Sequence, residues 1–295
     1  MGAKPRFLLA IPLIDEYLAE NVESLFSQRQ LENIFREKRG SWKLPKAMLA
    51  REFIEKLVEH TLLTSLSFAL PAGSRTFYYR GAINPYRLAL SLVPHSYLSH
   101  QSALYMHGLL PKAPQRIFVN QEQSAKHASA TEALTQTAID TAFAKPQRQP
   151  HNSTTYESYE LLFLNGQATG QLGVVELTHP AAGKVKVTSL ERTLLDITVR
   201  PTYAGGVSNV LRAYQVAAPL VSIRKLEELL IKLNHKYPYH QAVGFYLERA
   251  GTYKSADLRH FEQREKILDF YLAHNMDEVD YFPKWKVFYP TVLNS

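Results

Sequence analysis

The stretch over residues 185–217 constrains this chain most, because it must change conformation several times in a fixed order. Lys184 and Lys186 alternate with Val185 and Val187, the period-two pattern of a half-buried strand. Thr188-Ser-Leu-Glu191 then reads as a capping box, in which a hydroxyl and a carboxylate each accept from a free amide at a helix start. The helix carries Leu190, Leu194, Leu195 and Ile197 on one side, the spacing of a buried stripe. Arg200-Pro201 stops it, since the residue before a proline avoids helical dihedrals. Gly205-Gly206 turns the chain into a second helix, residues 207–217.

Within that first helix Arg192 and Asp196 stand four apart and can pair along the surface. Exposed, such a pair contributes about 0.3–0.5 kcal/mol. Partly buried, it would pin the helix against its surroundings. Glu191 and Asp196 are not a convergent carboxylate pair, because five residues on a helix place them about 140° apart.

The chain has 295 residues, enough for two domains, and 45% hydrophobic and 21% charged residues, an ordinary globular composition. It has no cysteine, which excludes disulfides, thiolate metal sites and a cysteine nucleophile. A net charge of +7 favours an acidic partner such as nucleic acid. Residues 7–14 are apolar and follow Lys4 and Arg6, but Pro12 and the acidic Asp15-Glu16 argue against a signal peptide. No run approaches the roughly 20 apolar residues needed to span a bilayer. A cytoplasmic protein without membrane partner is expected.

The N-terminal pattern predicts three helices and a ribbon. Residues 13–23 read as a short helix with Leu13, Tyr17 and Leu18 inward. Ser27-Gln-Arg-Gln30 is a second capping box, Phe26 before it can staple onto Leu31, and Lys38-Arg39-Gly40 closes that helix, with glycine as a left-handed cap. Pro45 suits the first position of a third helix running to about His60, with Leu49, Phe53 and Leu57 in one row. Residues 66–70 and 75–80 are strand-like about a turn at Pro71-Ala-Gly-Ser74. This order predicts a winged helix-turn-helix at 1–81.

A basic cluster falls on it. Between Arg29 and Arg51 lie seven cations, opposed only by Glu32 and Glu37. In a helix-turn-helix the start of the recognition helix enters the major groove and the turn meets phosphate. The expected DNA-binding residues are therefore Arg36, Arg39, Ser41, Trp42, Lys43, Lys46 and Arg51, with Ser74 and Arg75 at the wing tip. Trp42 has two readings, stacking on sugar or covering the core. Glu52, Glu55 and Glu59 repel phosphate, so only the first two turns of that helix can approach DNA.

The rest, 82–295, is expected to be a larger mixed α/β domain with a helical C-terminal part. Helices are predicted over 84–94, from Ser99 to Gly108, 130–144, 223–233, 241–250 and 256–274, strands over 116–120, 161–164 and 172–177 (the last two buried), and a mobile loop over 145–155. The whole reads as α+β. Thirteen aromatics crowd the last 60 residues, from Tyr237 to Tyr289, as core or as interface.

Several blocks carry a resemblance. Ser189-Leu-Glu-Arg-Thr-Leu-Leu-Asp196, Arg200-Pro201 and Tyr203-Ala-Gly-Gly-Val207 are similar to the core signature of the AbiEi-type antitoxins, with Ser189, Glu191, Arg192, Asp196, Arg200, Gly205 and Gly206 as its structural residues. Ser96 to Leu104 with His107-Gly-Leu109, Gly244 to Glu248 with Gly251, and Trp285 to Pro290 resemble further blocks, in order, over about 80–295. The resemblance implies a non-enzymatic transcriptional repressor of its own operon. It also implies the antitoxin of a type IV, abortive-infection system, counteracting a nucleotidyltransferase toxin without need of a stable complex. It favours a partly buried Arg192–Asp196 pair.

No cofactor, metal or catalytic residue is expected. His95, His100 and His107 fall in one block and His235 and His240 in another; His100 and His107 share a helix face but stand about 10 Å apart along it, too far for one ion. There is no phosphate loop and no nucleophile elbow. The rival reading, a nuclease-like enzyme with a winged-helix targeting module, needs converging carboxylates that the spacing does not supply.

Overall fold

The computed structural model describes residues 5–20, 25–70, 73–125 and 133–294. Pro71 and Ala72 of the expected turn, the end of the 13–23 helix and the start of the 130–144 helix lie outside these. The fold is mixed α+β, with eleven α-helices and three sheets among the described residues. The chain divides into two compact units, residues 1–88 and 89–295. Each has its own apolar core.

The first unit runs α1 (Arg6–Glu20), β1 (Leu25–Ser27), α2 (Gln28–Lys38), α3 (Ala50–Glu59), β2 (Thr64–Leu70) and β3 (Gly73–Tyr79). The strands form an antiparallel sheet in the order β1-β3-β2. α1 starts earlier than expected, takes Pro12 into its interior and buries Phe7, Ala10, Ile14 and Leu18, leaving Leu13 outside. The apolar run that resembles a signal peptide is thus a core-facing helix. The Ser27–Gln30 capping box forms, the serine hydroxyl accepting from the Gln30 amide at 3.3 Å and the Gln30 side chain from the Ser27 amide at 2.8 Å. Phe26 and Leu31 are both buried in the same core.

Two expectations for the α2–α3 connection are corrected. Gly40 is not the left-handed residue; Lys43 is, with φ +52°. Nor does a helix start at Pro45. The segment stays a turn until Ala50, with Trp42, Leu44 and Met48 buried in the core. The Pro45 carbonyl accepts from the Arg39 guanidinium at 2.8 Å and from the Met48 amide at 3.1 Å. Leu49, expected in the buried row, is the N-cap and is 70% exposed.

After α4 (Pro85–Leu92), the second unit is built on a six-stranded mixed sheet: β4 (Tyr97–Leu98), β5 (Arg116–Glu122), β6 (Asn152–Tyr156), β7 (Tyr159–Gly166), β8 (Val174–His179) and β9 (Gly183–Thr188), in the order β6-β7-β5-β4-β9-β8. β5 and β7 are parallel. α5 (His100–Met106), α6 (Gln136–Phe143), α7 (Leu190–Val199), α8 (Val207–Ala217), α9 (Ile223–Leu233), α10 (Tyr239–Ala250) and α11 (Ser255–Glu262) accompany it. Residues 152–156, expected to be loop, form an edge strand of polar residues, and β8, expected to be buried, is the other, largely exposed edge.

The last helix ends twelve residues before the expected His274. The Lys266 ammonium donates to the Glu262 and Arg264 carbonyls at 2.6 and 3.0 Å, satisfying acceptors at the helix end. The chain then forms a second small sheet, β10 (Phe270–Tyr271), β12 (Val287–Pro290) and β11 (Val279–Phe282), in place of an all-helical tail. Of the tail aromatics, Tyr239, Phe245, Tyr246, Phe270, Trp285 and Tyr289 are core, whereas Tyr281 is exposed.

Trp285 is fully buried against α10, its indole N–H donating to Glu248 at 2.6 Å. A Cβ on Gly244 would run into the indole ring. Glycine to alanine inside a helix ordinarily stabilises by about 0.5–1 kcal/mol, but overpacking a core costs about 1–3 kcal/mol. Gly244→Ala is therefore expected to lower the urea midpoint; an unchanged or raised midpoint would contradict this packing.

Candidate functional site

Two regions concentrate functional side chains. In the first unit, Arg29, Arg36, Lys43, Lys46 and Arg51 are exposed. Arg29, Lys43 and Lys46 make no side-chain hydrogen bond or ion pair among the described residues. Arg36 donates to Asn33 at 3.3 Å, and Arg51 pairs with Glu55 at 2.8 Å, both members exposed. The Ser41 hydroxyl donates to the Lys38 carbonyl at 2.8 Å. Lys38 pairs with Glu37 at 3.2 Å and lies over the Tyr17 ring. Among the described residues no side chain caps the start of α3, so its first amides stay open in the turn that carries Arg51.

Two expected DNA contacts change role, and two more shift in position. Trp42 is buried, stacked on Phe53 at 5.8 Å and edge-on to Tyr17 at 5.5 Å, so of its two readings the core is the one realised. Arg39 is half-buried over Phe35 and spends its guanidinium on the Pro45 carbonyl. Lys43 and Lys46 stand on the turn before α3, not on the helix itself. Ser74 and Arg75 sit next to the hairpin tip, opposite Ala69 and Phe68, with Ser74 exposed and Arg75 half-buried.

In the second unit the signature residues surround one helix. Ser189, not Thr188, is the N-cap of α7, accepting from the Arg192 amide at 3.3 Å. Glu191 does not close a capping box. Its carboxylate is buried and accepts from the Ser222 amide at 3.1 Å, tying α7 to the start of α9. Thr188 instead shares a 2.8 Å hydroxyl bond with Thr193. Gly205 and Gly206 take φ +86° and +107°, left-handed values that a side chain disfavours, and carry the chain into α8.

Arg192 donates to Asp196 at 2.7 Å and to the Leu172 carbonyl at 2.7 Å. The side chains are only 9% and 12% exposed, which makes this a buried pair. Burial raises the Asp196 carboxyl, with the guanidinium pulling against it. Burial opposes the charge on Arg192, but Asp196 outweighs it and the group is raised.

This pair lines a cavity of about 650 Å³ that also touches His100, Asn120, Arg148, Asn165, Arg200, Tyr203 and His235. It lies beyond the carboxyl ends of the parallel strands β5 and β7, where open α/β sheets place ligands. Tyr203 stacks on Phe118 at 5.2 Å and its hydroxyl donates to the Arg148 carbonyl at 2.8 Å. Asn120 donates to Tyr97 at 2.6 Å, and Tyr97 to Glu122 at 3.2 Å. Glu122 also accepts from the Thr169 amide and hydroxyl and from the Gln171 amide; although burial opposes its charge, these bonds outweigh it and hold the carboxyl below its ordinary value.

His100 has φ +50° and shares a 2.9 Å bond between its Nδ1 and the Ser99 hydroxyl, so Ser99 does not cap α5 through its side chain. Burial, with Arg200 and Arg192 adding, pushes His100 down to about 3; the same three causes push His235 down to about 4. Among the described residues the buried Nε2 of His235 has no hydrogen-bond partner. These two histidines lie in different blocks of the sequence, and Arg148 on an expected loop; no local motif joins them. Of the other histidines, His107 meets the Thr188 carbonyl at 2.7 Å and His240 the Glu265 carbonyl at 3.0 Å, while His95 is exposed. Among the described residues no group of three or more histidine and carboxylate side chains converges. No helix among them is long and apolar enough to cross a membrane.

Two outcomes are expected. Asp196→Ala strands the Arg192 charge and should cost about 3–5 kcal/mol in chemical denaturation; a loss under 1 kcal/mol would return the pair to a surface role. The depressed histidines act in the opposite sense to an ordinary ion-paired histidine. In the unfolded chain they take up protons near 6.5, whereas the folded chain refuses them until about 4 and 3. Stability should therefore fall as pH drops below about 6.5. His100→Asn, which tolerates the left-handed backbone, should make that fall shallower, as read from unfolding midpoints between pH 7 and 5. An equally steep fall would show that His100 is not the group responsible.

No family model matches this chain, and no curated protein matches it. Among solved structures it is similar to the RV2827C protein from Mycobacterium tuberculosis, with a TM-score of 0.57, 14% sequence identity, and coverage of 97% of this chain and 93% of that one. At that identity the likeness is one of fold.

Proposed function

We propose that the first unit is a winged helix-turn-helix that binds double-stranded operator DNA, and that the protein is a repressor and antitoxin of the AbiEi type. The observation that carries the DNA reading is the set of uncompensated cations Arg29, Lys43 and Lys46, on α2 and on the turn before the uncapped start of α3. Cations gain affinity by releasing counterions from phosphate, and open amides at a helix start add donors. The order helix, strand, helix, helix, strand, strand, with β1 paired to β3, supports a winged helix. α3 carries Glu52, Glu55 and Glu59 against Arg51 and Lys56, so base contact is confined to its first turn and the turn before it supplies the phosphate contacts. The repressor and antitoxin roles rest on the ordered sequence blocks, whose α7 residues Glu191, Arg192 and Asp196 bond that helix to the Ser222 amide and the Leu172 carbonyl.

The test is a titration of the full chain against its own upstream region at several salt concentrations. Each phosphate contact contributes about 0.9 to the slope of log affinity on log salt. Lys43→Glu with Lys46→Glu should abolish the operator shift with an unchanged melting profile, because both side chains are exposed and unbonded. Binding that ignores salt, or survives the double substitution, would displace the interface from this turn. Co-expression with the nucleotidyltransferase encoded beside it, where there is one, tests the antitoxin role: continued growth arrest would exclude protection.

A further inference from the structure

The cavity beside α7 shares no lining residue with the basic surface of the first unit, yet it holds charge without a partner among the described residues. Its lining brings three arginines, Arg148, Arg192 and Arg200, against one carboxylate, Asp196. Asp196 neutralises Arg192 by direct pairing. Arg200 is half-buried and Arg148 exposed at the rim, and neither side chain makes a hydrogen bond or ion pair among the described residues. A half-buried guanidinium without a counter-charge is costly unless something anionic meets it. Guanidinium forks match phosphate oxygens in pairs, and two uncompensated positive charges match a phosphate monoester dianion.

The remaining lining suits the organic part of such a ligand. Asn165 offers an exposed amide, Asn120 is buried but keeps one N–H and its oxygen beyond the bond to Tyr97, and Tyr203, held by its stack on Phe118, forms a largely buried aromatic part of the wall. Stacking with amide bonds to a ring edge is how proteins recognise a nucleobase. A volume of about 650 Å³ falls within the range of small-molecule sites. The geometry points to a binding site for a nucleoside phosphate, with its phosphate on Arg200 and Arg148 and its base among Asn120, Asn165 and Tyr203. The site is distinct from the basic surface of the first unit, so its ligand would regulate or accompany the protein's other activity and not compete with DNA for the same residues.

Calorimetric titration of the full chain tests this with five probes: the 5′-monophosphates of adenosine, guanosine, cytidine and uridine, and inorganic phosphate. At least one nucleotide is expected to bind with Kd below about 1 mM, the weak end of specific binding. Arg200→Gln and Arg148→Gln should each weaken it at least tenfold, and Lys43→Glu with Lys46→Glu should leave it unchanged. Arg148 is exposed on a loop, so its variant serves if the Arg200 variant fails to fold. Failure of all five probes overturns the proposal. So does nucleotide binding that survives both arginine substitutions or is lost in the lysine double variant. Binding of phosphate without any nucleotide overturns the assignment of a nucleoside ligand.

Discussion

The second unit depends on a charged pair placed where charges are expensive. Arg192 and Asp196 lie on α7, whose other residues Leu194, Leu195 and Ile197 are all but fully buried. Desolvating two ions is offset only when geometry is good and the spare donors are used. Both conditions hold here: the pair closes at 2.7 Å, and a second guanidinium donor reaches the Leu172 carbonyl. Next to Arg192 along the chain, Glu191 accepts from the Ser222 amide. α7 is thereby fixed to the segment before β8 and to α9 by groups that tolerate little displacement. The cavity wall formed by Asp196 and Arg200 inherits that rigidity.

The first unit solves a different problem. Its aromatic core, Phe7, Phe35, Trp42 and Phe53, packs ring on ring and takes Trp42 out of the turn that follows α2. With Trp42, Leu44 and Met48 turned inward, the residues between them have to face water, and these include Lys43 and Lys46. The left-handed backbone at Lys43 is part of the same geometry. The core thus decides which cations are displayed, and Arg39, drawn half inside by the Pro45 carbonyl, is withheld from the display.

Periodicity in the chain revealed most elements whose burial alternates cleanly: the Val185/Val187 strand, the Ser27–Gln30 cap, the β2–β3 ribbon and the glycine turn into α8. It failed where tertiary packing overrode local preference. Pro45 and Thr188 carried valid start signals, but buried side chains around the first and the Ser189 hydroxyl at the second moved both helix starts along the chain. Residues 152–156 are too polar to announce a strand, and become one only by pairing with β7. The basic turn was visible as composition, whereas the cavity was not, because His100, Arg148, Arg200 and His235 meet only after the sheet has brought four distant segments together.

The chain contains two tryptophans, and each unit holds one of them. Trp42 sits among aromatic rings. Trp285 gives its indole N–H to Glu248 and lies under the ammonium groups of Lys266 and Lys284, 5.4 and 5.6 Å from its ring. Neither indole meets bulk water in the native state, and their electrostatic surroundings differ in kind. The protein therefore carries a separate intrinsic fluorophore for each unit. Replacing either tryptophan with phenylalanine would leave emission that follows the other unit alone, so the order in which the two halves come apart can be watched in the intact chain without a dye.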